Sequence, residues 1–156
     1  MNCLLSRLSC LLVWVLLSGC ASTGVKPANP AVVAKMNAIN KSSMATVVIY
    51  RESAFAGSAL RPTVMLGGKE FVNIGNGDVF VGAFRPGHYA FEMDDKKSGT
   101  ALDLAPGKSV YMKVEVVPGF WKGGGRLLQM APEQGKFEAS RLKLIPEREI
   151  EIASYR

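Results

Sequence analysis

The sequence predicts a mainly β protein, an antiparallel β-sandwich of seven or eight short strands with short flanking helices. Three observations predict it. From Ala45 to Met130 apolar residues recur at a period of two, the pattern of half-buried strands. Those runs are separated by glycine and proline turns: Gly67-Gly68, Asn76-Gly77, Arg85-Pro86-Gly87-His88 and Ala105-Pro106-Gly107-Lys108. No helical pattern alternates with the strands, which excludes a parallel α/β sheet and leaves a sandwich or a partly open barrel. The chain of 156 residues is one domain's worth, with 48% hydrophobic and 21% charged residues, 16 Gly and 8 Pro. Such a composition excludes a disordered chain, a collagen-like repeat and a multi-span membrane protein.

Met1 to Gly19 holds a single charge, Arg7, and an apolar run from Cys10 to Leu17. That run is far shorter than the ~20 residues a membrane-spanning helix needs. A short basic start, an apolar middle and small residues at the end form a secretory signal. The segment closes on Leu17-Ser18-Gly19-Cys20, which resembles the lipobox of bacterial lipoproteins. The resemblance implies cleavage between Gly19 and Cys20 and a diacylglycerol on Cys20. Each buried acyl CH₂ contributes ~0.8 kcal/mol, and more than one chain makes anchoring stable. Ala21, where an Asp retains enteric lipoproteins at the inner membrane, implies the outer membrane, facing the periplasm.

Cysteine usage agrees with that reading. Cys3 and Cys10 lie in the removed segment, which leaves Cys20 alone and excludes an internal disulfide and a thiolate metal site. The formal charge is +6, and removal of Arg7 leaves 18 basic against 13 acidic residues. The basic residues are dispersed, with no run longer than Lys96-Lys97. Anionic lipid headgroups or the cell wall suit this mild bias, and nucleic acid is not an expected partner.

Residues 20–29 read as a lipidated linker, and 30–44 as a short helix and connection. Asn29 caps the helix, Pro30 occupies its first position, and Val32, Val33, Met36 and Ile39 share one face. The sandwich with its C-terminal helix spans 45–146. Its expected strands are Thr46–Arg51, Arg61–Leu66, Glu70–Ile74, Asp78–Phe84, Tyr89–Met93, Thr100–Leu104, Ser109–Val117 and Arg126–Met130. Gly67-Gly68 and Asn76-Gly77 are hairpin signals. The two Pro-Gly turns echo each other, with glycine in the positive-φ position of a type II turn. On the fifth strand Tyr89, Phe91 and Met93 face one way. On the seventh, Val110, Met112, Val114 and Val116 oppose Tyr111, Lys113 and Glu115. A second helix starts at Pro132, draws apolar contacts from Phe137, Leu142 and Leu144, and stops at Pro146. Gly135 weakens it by ~1 kcal/mol relative to Ala. The tail 147–156 is an edge strand or a loose end.

The order Ile49-Tyr50-Arg51, a loop with Phe55, Gly68-Lys69, Asn76-Gly77, Arg85-Pro86-Gly87-His88 and Ala105-Pro106-Gly107-Lys108 with Tyr111 resembles the bacterial lipoproteins known as domain of unknown function 2846. That family has Asp-Gly before the lysine of the first hairpin, where this chain has Gly67-Gly68. Sandwiches of the PEGA and transthyretin-like kinds, including carboxypeptidase-regulatory modules, are similar. The resemblance implies a lipid-anchored sandwich and no known activity.

Candidate chemistry is sparse. His88 is the single histidine and lies in a turn with no nucleophile near it in sequence. Asp94, Asp95 and Asp103 lack the spacing of a calcium loop. Gly123-Gly124-Gly125 lacks the order of a phosphate loop. No catalytic residue, metal or cofactor is expected. Pro118 to Gly125 puts Phe120, Trp121 and Lys122 in a glycine-rich loop suited to stacking on sugars or dipping into a membrane interface, or else to plugging the sandwich. Tyr50, Arg51, Phe120, Trp121 and Lys122 are the candidate interaction residues. The expected role is a non-enzymatic binding or structural accessory for an envelope protein or peptidoglycan. The alternative is a glycan or small-molecule sensor with its pocket at one end of the sandwich.

Overall fold

A computed structural model describes residues 24–40, 43–116 and 125–146. Helix α1 spans Pro30–Asn40 and α2 spans Pro132–Ala139. The strands are β1 Ala45–Tyr50, β2 Thr63–Leu66, β3 Lys69–Asn73, β4 Asp78–Phe84, β5 Gly87–Met93, β6 Gly99–Leu104, β7 Ser109–Val116, β8 Gly125–Met130 and β9 Lys143–Leu144. They form two sheets, ordered β8-β7-β1-β4-β9 and β3-β2-β5-β6. The sequence-predicted sandwich with flanking helices is the fold, and it is no barrel.

Most neighbours pair antiparallel, but β1 runs parallel to β7, with Val48 opposite Tyr111, and β4 runs parallel to β9. The first sheet is therefore mixed. Gly67 and Gly68, with φ of 57° and 78°, turn β2 into β3 as expected. Asn76-Gly77 does not make a hairpin. Gly77 has φ of 76° and the Asp78 N–H donates to Gly75 O at 3.2 Å, so the turn is real. Yet β3 and β4 belong to different sheets, and the turn carries the chain across the sandwich. The two Pro-Gly turns also differ. Gly107 has φ of 66° and Lys108 N–H closes on Ala105 O at 3.2 Å, whereas Gly87 is already the first residue of β5, paired with Leu104.

Strand β1 is buried along its whole length because both of its faces are covered. Ala45, Val47 and Ile49 join the layer between the sheets, with Phe80 and Phe84 of β4, Met112 and Val114 of β7, and Phe71, Phe91 and Met93 from the facing sheet. The aromatic rings there meet edge to face, Phe71–Phe80 at 5.0 Å and Phe84–Tyr89 at 5.3 Å between centroids. Such pairs add about 0.5–1.5 kcal/mol beyond burial. Val48 and Tyr50 join the second layer, with Val79, Val81 and Tyr111, under Val32 and Met36 of α1 and Ala139 of α2.

Asn29 caps α1 as predicted, its Oδ1 accepting the Ala31 N–H at 3.0 Å. Asn29 also donates from its amide N–H to Ser140 O at 2.7 Å and from Nδ2 to Leu142 O at 2.8 Å, fastening the linker to the segment after α2. Helix α2 ends earlier than the sequence suggests. Leu142 packs beyond it, and Leu144 lies in β9, where Lys143 and Ile145 N–H groups donate to Gly77 O and Val79 O, both at 2.9 Å. Phe137 is 53% exposed rather than packed, with the Arg141 guanidinium 3.6 Å from its ring centre. Gly135 has a positive reason: a Cβ there would lie 2.3 Å from the Cβ of Tyr111. The helix lies on β7 at a distance that only glycine permits.

Candidate functional site

The C-terminal end of β1 gathers most of the polar chemistry. Tyr50, the last residue of β1, points into the helix-side layer and is fully buried. Its hydroxyl donates to Glu138 Oε2 of α2 at 2.8 Å. Gln134, one helical turn earlier, donates to Glu138 Oε1 at 2.8 Å. Lys113 of β7 sits beside Tyr50 through the parallel pairing. Its ammonium donates to Glu138 Oε2 at 3.2 Å and to Glu52 Oε2. Lys113 and Glu138 are mostly buried, while Glu52 is half exposed.

These contacts set the ionisation of the cluster. Burial and the Glu138 carboxylate raise the Tyr50 phenol far above its ordinary value, so it remains a donor. Burial disfavours charge on Lys113, but the Glu52 and Glu138 carboxylates outweigh it and raise the ammonium above its usual range. Burial likewise disfavours the Glu138 carboxylate. Donors from Gln134, Tyr50 and Lys113 outweigh that and hold it below the ordinary carboxyl range. With three donors engaged on Glu138, the cluster is an ion-paired brace between β1, β7 and α2, and Glu52 is its solvent-facing member.

Arg51 follows Tyr50 and is 3% exposed. Its guanidinium donates from Nη1 to Leu60 O at 2.6 Å and from Nη2 to Gly57 O at 2.7 Å. Burial pushes its pKa below the usual value, and the nearby Asp78 carboxylate opposes this. Asp78 in turn accepts from Gly75 N–H at 3.1 Å and pairs with exposed Arg61 at 3.5 Å. Arg51 thus staples the loop between β1 and β2. Ala54 N–H donates to Asn76 Oδ1 at 2.9 Å, and Leu60 N–H to Gly57 O at 2.9 Å. The result is a hydrogen-bonded loop on which Phe55 stands 100% exposed.

Among the cavities at this end, two adjoin the ion-paired cluster. One, of about 280 Å³, lies between Arg51, Glu52, Ala54, Lys113 and Val116. The other, of about 540 Å³, is open between Gly24, Lys26, Glu52, Ser53, Phe137 and Arg141.

Tyr50 and Arg51 were expected to be contact residues. The structure corrects this: both are buried, and their polar atoms are used inside the chain, because β1 is covered on both faces. Gly19, Cys20, Phe120, Trp121 and Lys122 lie outside the described residues. His88 is exposed on β5, not in a turn, with Nδ1 2.9 Å from Asp103 Oδ1. Among the described residues no group of three or more His, Cys, Asp or Glu side chains could hold a metal, and no helix is long and apolar enough to cross a membrane. Sequence reasoning missed Glu52, Gln134 and Glu138. The available signal was Lys113 on the same strand face as Tyr111: a lysine under a covering layer needs a carboxylate.

Comparisons with family models, curated proteins and solved structures give no match.

Proposed function

We propose that this chain is a lipid-anchored module of a bacterial envelope, tethered through Cys20 at the outer membrane and acting as a non-enzymatic binding or structural accessory. The observation that carries the reading is Leu17-Ser18-Gly19-Cys20 directly after an apolar run, followed by the polar stretch that leads to α1. The order of turn motifs, similar to the lipoproteins of domain of unknown function 2846, supports it. So does the fate of four ionisable groups with displaced pKa values around the end of β1. Tyr50, Arg51, Lys113 and Glu138 are each engaged in internal bonds rather than presented to a substrate. The partner class is an envelope protein or peptidoglycan.

A second reading, a glycan or small-molecule sensor, is favoured by one observation. The cavity beside Glu52 and Lys113 approaches the size of small-ligand sites, about 300–1,000 Å³. Metabolic labelling with a fatty-acid analogue tests the anchor: label is expected on the native chain and lost in Cys20→Ala. Label retained by the alanine variant overturns the proposal. Titration with muropeptides, followed by Trp121 fluorescence, separates the two readings of the folded body.

A further inference from the structure

Three large apolar side chains are exposed among the described residues, Val25 at 60%, Phe55 at 100% and Phe137 at 53%. Val25 sits between Gly24 and Lys26, which line the same cavity as Ser53 and Phe137. Phe55 follows Ser53 on the stapled loop. The stretch from Ser53 to Leu60 carries no charge; half-exposed Glu52, paired with Lys113, precedes it, exposed Arg61 follows it, and exposed Lys26 lines a cavity with Ser53. A single exposed apolar residue needs no explanation. Here, however, a buried guanidinium and two carbonyls are committed to holding the loop that presents Phe55 to solvent.

The linker supplies the second line of argument, which rests on the anchor proposed above. Gly24 borders the cavity at this end, and Asn29 is fastened to Ser140 and Leu142. Cys20 precedes Gly24 by four residues, a contour of at most about 14 Å at 3.3–3.6 Å per residue. An acyl group on Cys20 therefore holds this end, and not the opposite one with Gly67-Gly68 and Ala105–Lys108, against the headgroups. We propose that the end formed by Val25, Phe55 and Phe137 is a bilayer-docking face, in which Phe55 enters the lipid interface and Lys26 and Arg61 meet lipid phosphates. Aromatic rings favour that depth, and cations snorkel toward the anionic layer. The lipid then orients the domain, and the remaining surface is turned toward the periplasm.

Single-tryptophan chains test the face. Trp121→Phe removes the other tryptophan after Cys20, and Phe55→Trp or Ala105→Trp places one probe at either end. Ala105 is exposed and distant from the linker. The chain from Cys20 to Arg156 is reconstituted with its lipid into phosphatidylethanolamine–phosphatidylglycerol vesicles carrying brominated lipid. Quenching at position 55 is expected to exceed that at 105 at least threefold. Equal quenching, or stronger quenching at 105, overturns the docking face. Intact mass of the same material reads the anchor separately. If Cys20 is unmodified, the lipoprotein reading fails. The thiol is then joined to a maleimide lipid, and the quenching ratio still decides the face.

Discussion

The two faces of β1 are built differently. Toward the facing sheet, Ala45, Val47 and Ile49 meet a layer composed of apolar and aromatic side chains. Toward the helices, the same strand offers Thr46, Val48 and Tyr50, and two of the three carry hydroxyls. Thr46 donates to Asn40 Oδ1 at 2.7 Å, and Tyr50 to Glu138. The first layer is held by area and shape, whereas the second closes its margins with hydrogen bonds and one ion-pair cluster. The difference shows how a short two-sheet sandwich accepts a third layer. The helices are too small to bury everything they cover, so the rim of their contact is polar and must be satisfied internally.

Substitutions can break or sharpen this contrast. The largest effect is expected in the inter-sheet layer. Phe84→Ala removes a ring that contacts Phe71, Phe80, Tyr89 and Phe91, and should cost about 3–5 kcal/mol in denaturant titration. A loss below about 1 kcal/mol would place the main core elsewhere. On the helix side, Lys113→Met strands two carboxylates and should cost about 2 kcal/mol at neutral pH. Its pH dependence has a defined sign. Glu138 has a folded-state value below the ordinary range, so its contribution is present above that range and is lost as pH falls through the depressed value. Lys113 has a raised value, so its contribution is complete below the ordinary lysine range and lost only as pH rises through the raised value. The penalty of Lys113→Met should therefore be full at neutrality and shrink in acid; a constant penalty would mean that lost packing dominates. The smallest effect has the most informative direction. Helix propensity predicts that Gly135→Ala stabilises by ~1 kcal/mol. The close approach to Tyr111 predicts a net loss of about 1 kcal/mol, because β7 or α2 must shift. A gain in stability would show that the helix rides loosely on the sheet.

Legibility in the sequence followed the range of the interactions. Strand β4 falls at Asp78–Phe84 as expected, and β5 buries Phe91 and Met93 on the predicted face, because alternation is a local signal. Asn76-Gly77 shows where local signals stop. The dipeptide specifies a turn, but which strands that turn joins depends on the packing of both sheets. Helix α2 is shorter than its sequence pattern suggests for a related reason. Leu142 and Leu144 are apolar at spacings a helix can use, and only pairing with β4 makes Leu144 part of a strand. The candidate site was the least legible part. Glu52, Lys113 and Glu138 come from a loop, a strand and a helix, and no spacing rule links them. Tyr50 and Arg51 read from the sequence as contact residues but are buried, because a strand end read alone carries no sign of what covers it.

The parallel ladder between β1 and β7 joins residues about sixty positions apart, Val48 with Tyr111 among them. The centre of the first sheet therefore cannot form until most of the polypeptide has been made. Ordering so long an intervening segment slows closure. A chain of this topology completes the centre of its first sheet only once Ser109–Val116 is available to pair with β1. The strand at the centre of the sheet is thus among the first made and among the last to gain both its neighbours.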